Sequence, residues 1–234
     1  MTRTLVRADR DREPELFDQM YRARAAVFHD RLGWNVRVRD GWEIDRYDEE
    51  EDPIYLVTAG PSGRLTGSLR LLPTTGATML RNEFVDFFDE PVDVESPTAW
   101  ECTRFCVHPA ERVDELHTLR SVSSELLVGI CELGLSSGIE HVVGVYDSRM
   151  MRIYARIGWS PAPLAVSRPE LGKLMVGIWD VSESALETMR LRAGLRETQM
   201  PATLATAPDI DCGTWSVTNH SKPYEATTVN DWNR

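Results

Sequence analysis

The sequence predicts an α/β fold with three layers and a mixed sheet at its centre. Three observations predict it: an early strand hairpin, a central strand followed by a long helix, and a later alternation of strand and helix. The composition is typical of a globular protein, since 42% of the 234 residues are hydrophobic and 27% are charged. We expect a single domain over residues 1–200 and an irregular C-terminal tail over residues 201–234.

The first third of the chain predicts a helix and then an ordered loop. The helix covers Glu13–Leu32, where apolar residues recur at steps of three and four. Arg24 falls on the apolar face, so its side chain either extends to the edge of the face or points into a cleft. The loop, Trp34–Asp52, has no sustained period and ends in an acidic run.

The middle of the chain predicts the first half of a sheet. The runs Ile54–Thr58 and Leu65–Leu72 flank Gly60–Gly63, whose turn residues join them into a hairpin. A helix over Met79–Asp89 follows, and then a strand over Trp100–Val107.

The second half predicts strict alternation of helix and strand. The elements are a helix at Arg112–Ser136, a strand at Val142–Tyr146, a helix at Arg149–Ile157 ended by Gly158, a strand at Leu174–Val181 and a helix at Ser182–Ala193.

The charge balance excludes some partners. A net charge of -11 opposes broad attraction to nucleic acid or to anionic membranes. No apolar run approaches the roughly 20 residues that span a bilayer, and charges interrupt the first residues, so we expect a cytoplasmic location. Four cysteines without CxxC spacing indicate buried thiols rather than a metal site.

Four ordered blocks of charged and aromatic residues resemble those of a known protein family. They read Arg24-x-x-x-Phe28-x-x-Arg31-Leu32-Gly33-Trp34-x-Val36, Glu43-x-Asp45-x-Tyr47-Asp48, Arg70-Leu71-Leu72-Pro73-Thr74 and Glu101-x-Thr103-Arg104-Phe105. In order and spacing they resemble the LuxI-type N-acyl-homoserine lactone synthases, the autoinducer synthases of quorum sensing. The resemblance covers roughly residues 5–180 and implies a GNAT-like α/β/α fold with a mostly antiparallel, twisted sheet.

The resemblance also implies a reaction. The α-amine of S-adenosylmethionine attacks an acyl thioester carried on acyl carrier protein or coenzyme A. The methionyl carboxylate then closes the lactone and expels methylthioadenosine. Both reactants are substrates, and the reaction needs neither a metal nor a prosthetic group.

The catalytic set that we infer is Glu101, Thr103 and Arg104. An α-amine is protonated near neutral pH and must lose a proton before it attacks, which requires a carboxylate or a water that a carboxylate holds. Glu101 is the candidate base, with its pKa raised by burial, and Thr103 shares its face of the strand. The alternative is a structural salt bridge from Glu101 to Arg70 or Arg104.

The adenosylmethionine contacts that the resemblance implies combine charged and aromatic side chains: Arg24, Phe28, Trp34, Asp45, Asp48, Arg70, Arg104 and Phe105. The carboxylates suit a cationic substrate, and arginines hold carboxylates in bidentate pairs. The aromatic rings can face the sulfonium or simply pack in the core.

Two further features complete the prediction. Glu101 and Arg104 differ by three positions, which in a regular strand puts them on opposite faces, so we predict a β-bulge within residues 101–105. The acyl tunnel should lie between the sheet and the later helices, with the candidate lining residues Leu126, Val143, Gly144, Val145, Met150, Ile153 and Leu174.

An acyl carrier protein would need basic contacts on this acidic chain. The candidate dock consists of Arg149, Arg152, Arg156, Arg168 and Lys173; the alternative is a solvated helix face. Two other functions stay open: a GNAT-type N-acyltransferase for another amine, and a non-catalytic homologue that binds one of these ligands.

Overall fold

A seven-stranded sheet runs through the computed structural model, which describes residues 2–108 and 115–195, with side chains placed except at 115–120. Its strands are β1 (Thr2–Val6), β4 (Ile54–Ala59), β5 (Leu65–Pro73), β6 (Ala99–Val107), β7 (His141–Asp147), β8 (Ala162–Val166) and β9 (Leu174–Asp180). The short strands β2 (Val38–Arg39) and β3 (Trp42–Glu43) pair separately. The order in the sheet is β1-β4-β5-β6-β7-β9-β8, and its neighbours are antiparallel except for β6 and β7.

Helices cover both faces of this sheet. They are α1 (Pro14–Arg24), a π-helix (Ala25–Arg31), α2 (Arg46–Glu49), α3 (Met79–Asn82), α4 (Glu115–Ser137), α5 (Met151–Ile157) and α6 (Glu183–Ala193). The first face packs Tyr55 against Phe17 of α1 and Leu72 against Met79 of α3. The second face carries a core that includes Leu126 of α4. The predicted three-layer arrangement with a mixed sheet is therefore confirmed.

The two strands at the ends of the sheet were not predicted from the sequence. β1 carries three charged or polar residues and a single buried one, Leu5, and β8 contains Pro163. Both lie at an edge, where one side of the strand pairs with nothing in the sheet, so neither needs a continuous run of strand-forming residues.

Three predicted helices differ from the structure. The helix predicted at Glu13–Leu32 widens into a π-helix after Arg24, with the amide of Leu32 bonded to the carbonyl of Val27. The helix predicted at Met79–Asp89 ends at Asn82, because the following phenylalanines leave the helix axis to pack on β7 and β9. The helix predicted at Arg149–Ile157 begins with a 3₁₀ turn, and Gly158 ends it at φ 98°. The predicted start at Arg112 and the tail from residue 201 lie outside the described residues.

The parallel strands β6 and β7 pair over only part of their length. Their register joins Ala99–Glu101 to His141–Val143, after which β6 continues with β5 and β7 continues with β9. The pairing of β6 with β7 therefore ends at Glu101 and Val143. Within the described ranges, no helix is long and apolar enough to cross a bilayer.

Candidate active site

A β-bulge in β6 brings the residues of the fourth sequence block to one face. Ser68 pairs with Cys106 and Arg70 with Thr103, so the single residue Leu69 lies opposite two residues of β6. One of these, Arg104, has a left-handed backbone with φ 51°. The predicted irregularity within residues 101–105 is confirmed, and it places Arg104 on the same face as Glu101 and Thr103.

Six charged side chains on that face form a closed ring of alternating sign, here called the ion ring. Its members, in order, are Arg24, Glu43, Arg104, Asp45, Arg70 and Asp48. The π-helix junction, the β2–β3 hairpin with α2, and strands β5 and β6 each supply part of it. Three positive and three negative charges leave the ring neutral as a unit.

Four of the six members of the ion ring are buried and bonded to one another. Arg24 donates to Glu43 at 2.6 Å and to both oxygens of Asp48 at 3.0 and 2.8 Å. Arg70 lies 2.9 Å from Asp48. The side chains of these four residues are at most 1% exposed. Of the two readings of Arg24, the structure therefore supports the one in which its side chain points into a cleft.

The ring is accessible only where Arg104 and Asp45 meet. The Arg104 side chain is 10% exposed and the Asp45 side chain 18%, and their charged atoms are 2.8 Å apart. Arg70 holds Asp45 by two contacts of 2.5 and 2.9 Å, and Glu43 holds Arg104 at 3.0 Å. One cation and one anion thus face the outside of an otherwise closed network.

The arginines keep the buried carboxylates charged. Burial alone would raise the pKa of Asp48, but Arg24 and Arg70 outweigh burial and hold that pKa well below its usual range. Burial likewise opposes ionisation of Glu43, whose pKa is lowered by Arg24 and Arg104.

Local capping explains the spacing of the two aspartates. Asp45 is the N-cap of α2 and accepts hydrogen bonds from the amides of Tyr47 and Asp48 at 3.0 and 3.3 Å. Asp48 in return accepts from the amide of Asp45 at 3.0 Å. This reciprocal capping box points both carboxylates at the arginines.

Glu101 lies beside the ring without joining it. Its two oxygens accept hydrogen bonds from the amides of Met79 at 2.8 Å and Leu80 at 2.7 Å, and it forms no ion pair with any described arginine. Burial, which leaves 1% of the residue exposed, raises its pKa to about 7 although both amides, Arg70 and Arg104 lower it. The alternative reading of a direct salt bridge is wrong, because the amides of α3 take the place of the arginine.

Thr103 and two of the three predicted aromatic residues also lie at the ring. The Thr103 hydroxyl accepts a hydrogen bond from Arg70 at 3.0 Å. Phe28 stacks on Trp34 with ring centroids 5.1 Å apart, and the Arg104 guanidinium is 5.7 Å from the Phe28 centroid. Phe28 is buried, whereas Trp34 is 39% exposed, so the pair forms a wall beside the open edge of the ring.

Other predicted residues lie elsewhere. Phe105 follows the bulge and packs in the core of the second face, away from the ion ring. The predicted acyl-pocket residues divide between faces: Val143, Val145 and Leu174 pack on the first, and Leu126, Met150 and Ile153 on the second. They cannot line one face together, because β-strand side chains alternate and the sheet separates the two groups.

Only some residues of the predicted basic dock form an exposed, positively charged surface. Arg152 and Arg156 are exposed one turn apart on α5, and Lys173 is exposed next to β9. Arg149 is bound to Asp147 at 2.8 Å. Arg168 instead donates to the carbonyl of Asp86 on the first face.

Three important residues were not among the predicted site residues. Glu43 joins two arginines of the ring, Tyr55 donates to Asp48 at 2.8 Å, and Met79 contacts both Glu101 and the arginines. Glu43 stood in the second sequence block, two positions before Asp45, and that was a usable signal. Tyr55 and Met79 carry no signal of their own because an isolated aromatic or methionine usually belongs to the core.

Comparisons with known proteins agree with this geometry. The family model described as autoinducer synthase matches residues 9–189. An acyl-homoserine-lactone synthase of Rhizobium etli is 61% identical over 190 residues, covering 81% of this chain and 87% of that relative. A probable acyl-homoserine-lactone synthase of Sinorhizobium fredii is 31% identical over 193 residues, covering 82% and 91%.

Two solved structures share the fold. The CoA-dependent acyl-homoserine lactone synthase BjaI, solved with SAM and isopentyl-CoA, superposes with a TM-score of 0.73 at 25% identity, covering 84% of this chain and 90% of that chain. The synthase LasI superposes with a TM-score of 0.70 at 24% identity, covering 81% and 93%. These likenesses confirm the GNAT-like fold class that the sequence blocks implied. With its buried ion ring, its bulged β6 and a family match over most of its length, the chain belongs to the autoinducer synthase family.

Proposed function

We propose that this chain makes an N-acyl-L-homoserine lactone from S-adenosylmethionine and an acyl thioester. The observation that carries the proposal is the ion ring, which is closed everywhere except at Arg104 and Asp45, with Glu101 beside it. The family membership and the BjaI complex with SAM and isopentyl-CoA support it.

The open edge of the ring fits the amino-acid part of adenosylmethionine. Its α-carboxylate would bind Arg104, and its α-ammonium would bind Asp45, so the substrate replaces the contact that these two residues make with each other. The four buried members of the ring would orient this pair rather than touch the substrate. Phe28 and Trp34 offer aromatic faces to the sulfonium. Phe105 is left out of this pocket because it lies on the other face.

In the first step, Glu101 accepts a proton from the α-ammonium, directly or through a water. A pKa of about 7 lets this carboxylate be ionised near neutral pH and still take up a proton. The free amine attacks the thioester carbon, an amide bond forms, and the thiol leaves.

In the second step, an oxygen of the methionyl carboxylate attacks the γ-carbon of the same molecule. The carbon–sulfur bond breaks, its electron pair goes to sulfur, and methylthioadenosine leaves as a neutral thioether. The step joins a carboxylate to a sulfonium carbon and consumes both charges, so a pocket that excludes water favours it.

For the acyl chain we propose the region beyond Glu101 and Val143, where β6 and β7 no longer pair. This region begins beside Glu101, and the two groups of predicted lining residues lie on its two faces, so the proposal accommodates both groups. Gly144 lies at the start of this region, where the strands are still close together: an added Cβ would stand 3.2 Å from the carbonyl oxygen of Cys102.

The donor is coenzyme A or acyl carrier protein. Exposed Arg152, Arg156 and Lys173 support a carrier dock, whereas the CoA-dependent relative supports coenzyme A. The predicted cytoplasmic location, where both donors are made, remains part of this proposal.

One experiment separates the candidate functions. Pure protein is incubated with adenosylmethionine and a panel of acyl-CoA and acyl-carrier donors, and methylthioadenosine is measured. The proposal expects methylthioadenosine in proportion to the acyl-homoserine lactone. Acyl transfer to another amine without methylthioadenosine would indicate a GNAT-type N-acyltransferase, and no product with any donor would indicate a binding homologue.

A further inference from the structure

The catalytic base is held by main-chain groups. We propose that the turn Thr78–Leu80 is the positioning element of Glu101, and that it acts through the N–H groups of Met79 and Leu80. The inference rests on the proposed function, in which Glu101 is the base.

The geometry assigns one donor to each oxygen. The amide of Met79 lies 2.8 Å from Oε2 and that of Leu80 lies 2.7 Å from Oε1. A carboxylate oxygen has two lone pairs, so each oxygen keeps one direction free for a substrate proton. The two contacts together fix the plane of the carboxylate as well as its position.

The turn itself is held from three sides. The carbonyl of Thr78 accepts from the Tyr47 hydroxyl at 3.1 Å and from the Asn82 side chain at 2.7 Å. Leu80 packs in a buried cluster with Val143, which pairs with Glu101 in the sheet. The donors therefore have little freedom to move away from the carboxylate.

Met79 also links the base to the ion ring. Its sulfur accepts from Arg70 at 3.4 Å and from Arg104 at 3.2 Å, while its amide holds Glu101. The charged groups that act on Glu101 are Arg70 on β5 and Arg104 on β6 itself. β7 faces Glu101 with apolar Val143, α3 faces it with the two amides, and the neighbouring Cys102 thiol stays protonated, its pKa raised by burial to about 12.

Removing one amide donor should make Glu101 harder to ionise, because the hydrogen bond favours the charged carboxylate. Met79→Pro removes that donor alone from the backbone. Met79 is the first residue of α3, where proline is tolerated, and Thr78 is extended at φ -126° and ψ 154°, the conformation favoured before proline. Met79→Leu is the matched control, because it removes the sulfur and keeps the N–H.

The readout is the acidic limb of kcat/KM against pH, measured as methylthioadenosine formation. We expect this limb to lie about one pH unit higher in Met79→Pro than in Met79→Leu, the size expected for one hydrogen bond to a charged group. An ester in place of the Thr78–Met79 peptide, introduced with the α-hydroxy analogue of methionine, removes the same N–H and keeps the side chain. It should shift the limb equally.

A direct titration separates this inference from the proposed function. The infrared band of the Glu101 carboxylic acid, identified by its loss in Glu101→Gln, reports protonation without turnover. If the Glu101 carboxyl titrates at the same pH in folded Met79→Pro, in the ester variant and in Met79→Leu, the positioning role is overturned. A wild type that forms no methylthioadenosine with any donor would overturn the proposed function instead, and the infrared titration would still decide the role of the turn.

Discussion

Glu101 differs from the other buried carboxylates of this protein in the groups that surround it. Glu43 and Asp48 each contact two arginines, and their pKa values are lowered. Glu101 contacts two neutral amides, and burial raises its pKa to about 7. The three buried carboxylates on this face thus divide into two that stay ionised and one that can exchange a proton near neutral pH.

The first prediction concerns this exchange. Glu101→Gln should lower kcat by about 10²-fold or more, the usual size of a general-base effect. In the wild type, kcat/KM should fall as the pH drops below about 7, because the protonated carboxyl cannot accept a proton. Steady-state rates between pH 5 and pH 9 test both.

A matched control is Glu95→Gln, which removes a carboxylate that pairs with Arg81 outside the ion ring. Its rate should stay within about twofold of wild type. Full activity in Glu101→Gln would move the base to a water or to the substrate itself.

At the scale of elements, the bulge in β6 reverses the usual alternation of a strand. Glu101, Thr103 and Arg104 share the first face, whereas Cys102 and Phe105 pack on the second. This arrangement requires a left-handed backbone at Arg104, with φ 51°. For a residue other than glycine, that backbone conformation costs about 1–2 kcal/mol.

The second prediction follows from that strain. Arg104→Gly and Arg104→Ala both lose the contacts to Glu43 and Asp45, but only glycine relieves the backbone. Arg104→Gly should therefore be the more stable by about 1 kcal/mol, or about 2–4 °C in Tm. Calorimetry of the two variants measures the difference, and an equal or higher Tm for Arg104→Ala would contradict it. Both should bind adenosylmethionine weakly.

The third prediction concerns the exposed face of α5. Arg152→Glu together with Arg156→Glu should raise KM for an acyl-carrier donor about tenfold, since exposed ion pairs worth up to about 1 kcal/mol each become repulsive. KM for the matching acyl-CoA should change less, and the difference should shrink at high salt. Arg3→Glu with Arg12→Glu, at the opposite end of the sheet, is the control. An unchanged KM for the carrier-borne donor would exclude the dock.

At the scale of the whole molecule, the ion ring joins elements that are distant in the sequence. It connects the first helix, the β2–β3 hairpin, and strands β5 and β6, so the site and the packing of the first face depend on the same contacts. A buried pair of this kind is costly to break because the remaining charge stays buried.

The fourth prediction gives this coupling a pH dependence. Glu43→Gln should destabilise the fold by roughly 3 kcal/mol at neutral pH. The pKa of Glu43 is lowered in the fold, so its contribution is present above its unfolded value of about 4.3 and is lost as the pH falls through the folded value. The Tm difference between wild type and Glu43→Gln should be constant above about pH 5 and shrink below about pH 4. A difference that stays the same from pH 7 to pH 2 would contradict the assignment.

Local patterns in the sequence were sufficient for most of the fold. The hairpin β4–β5, the strands β6, β7 and β9, and the helix α6 with its Ser182 cap depend on residues that are close in sequence. The edge strands and the shortened α3 depend on neighbours that are remote in sequence. β1 pairs with β4, about 50 positions away. After Asn82 the chain leaves the helix, and its phenylalanines pack against β7 and β9.

The sequence by itself determined the family, the α/β layers and five of the six members of the ion ring, because charged and aromatic residues at fixed spacing can be recognised without coordinates. Only the tertiary structure decided which charges are free to meet a substrate. Burial and pairing depend on contacts such as Arg24 with Glu43 and Arg70 with Asp45, which join residues 19 and 25 positions apart. The same is true of Glu101, whose two hydrogen bonds come from main-chain groups that every residue carries and that no sequence pattern distinguishes.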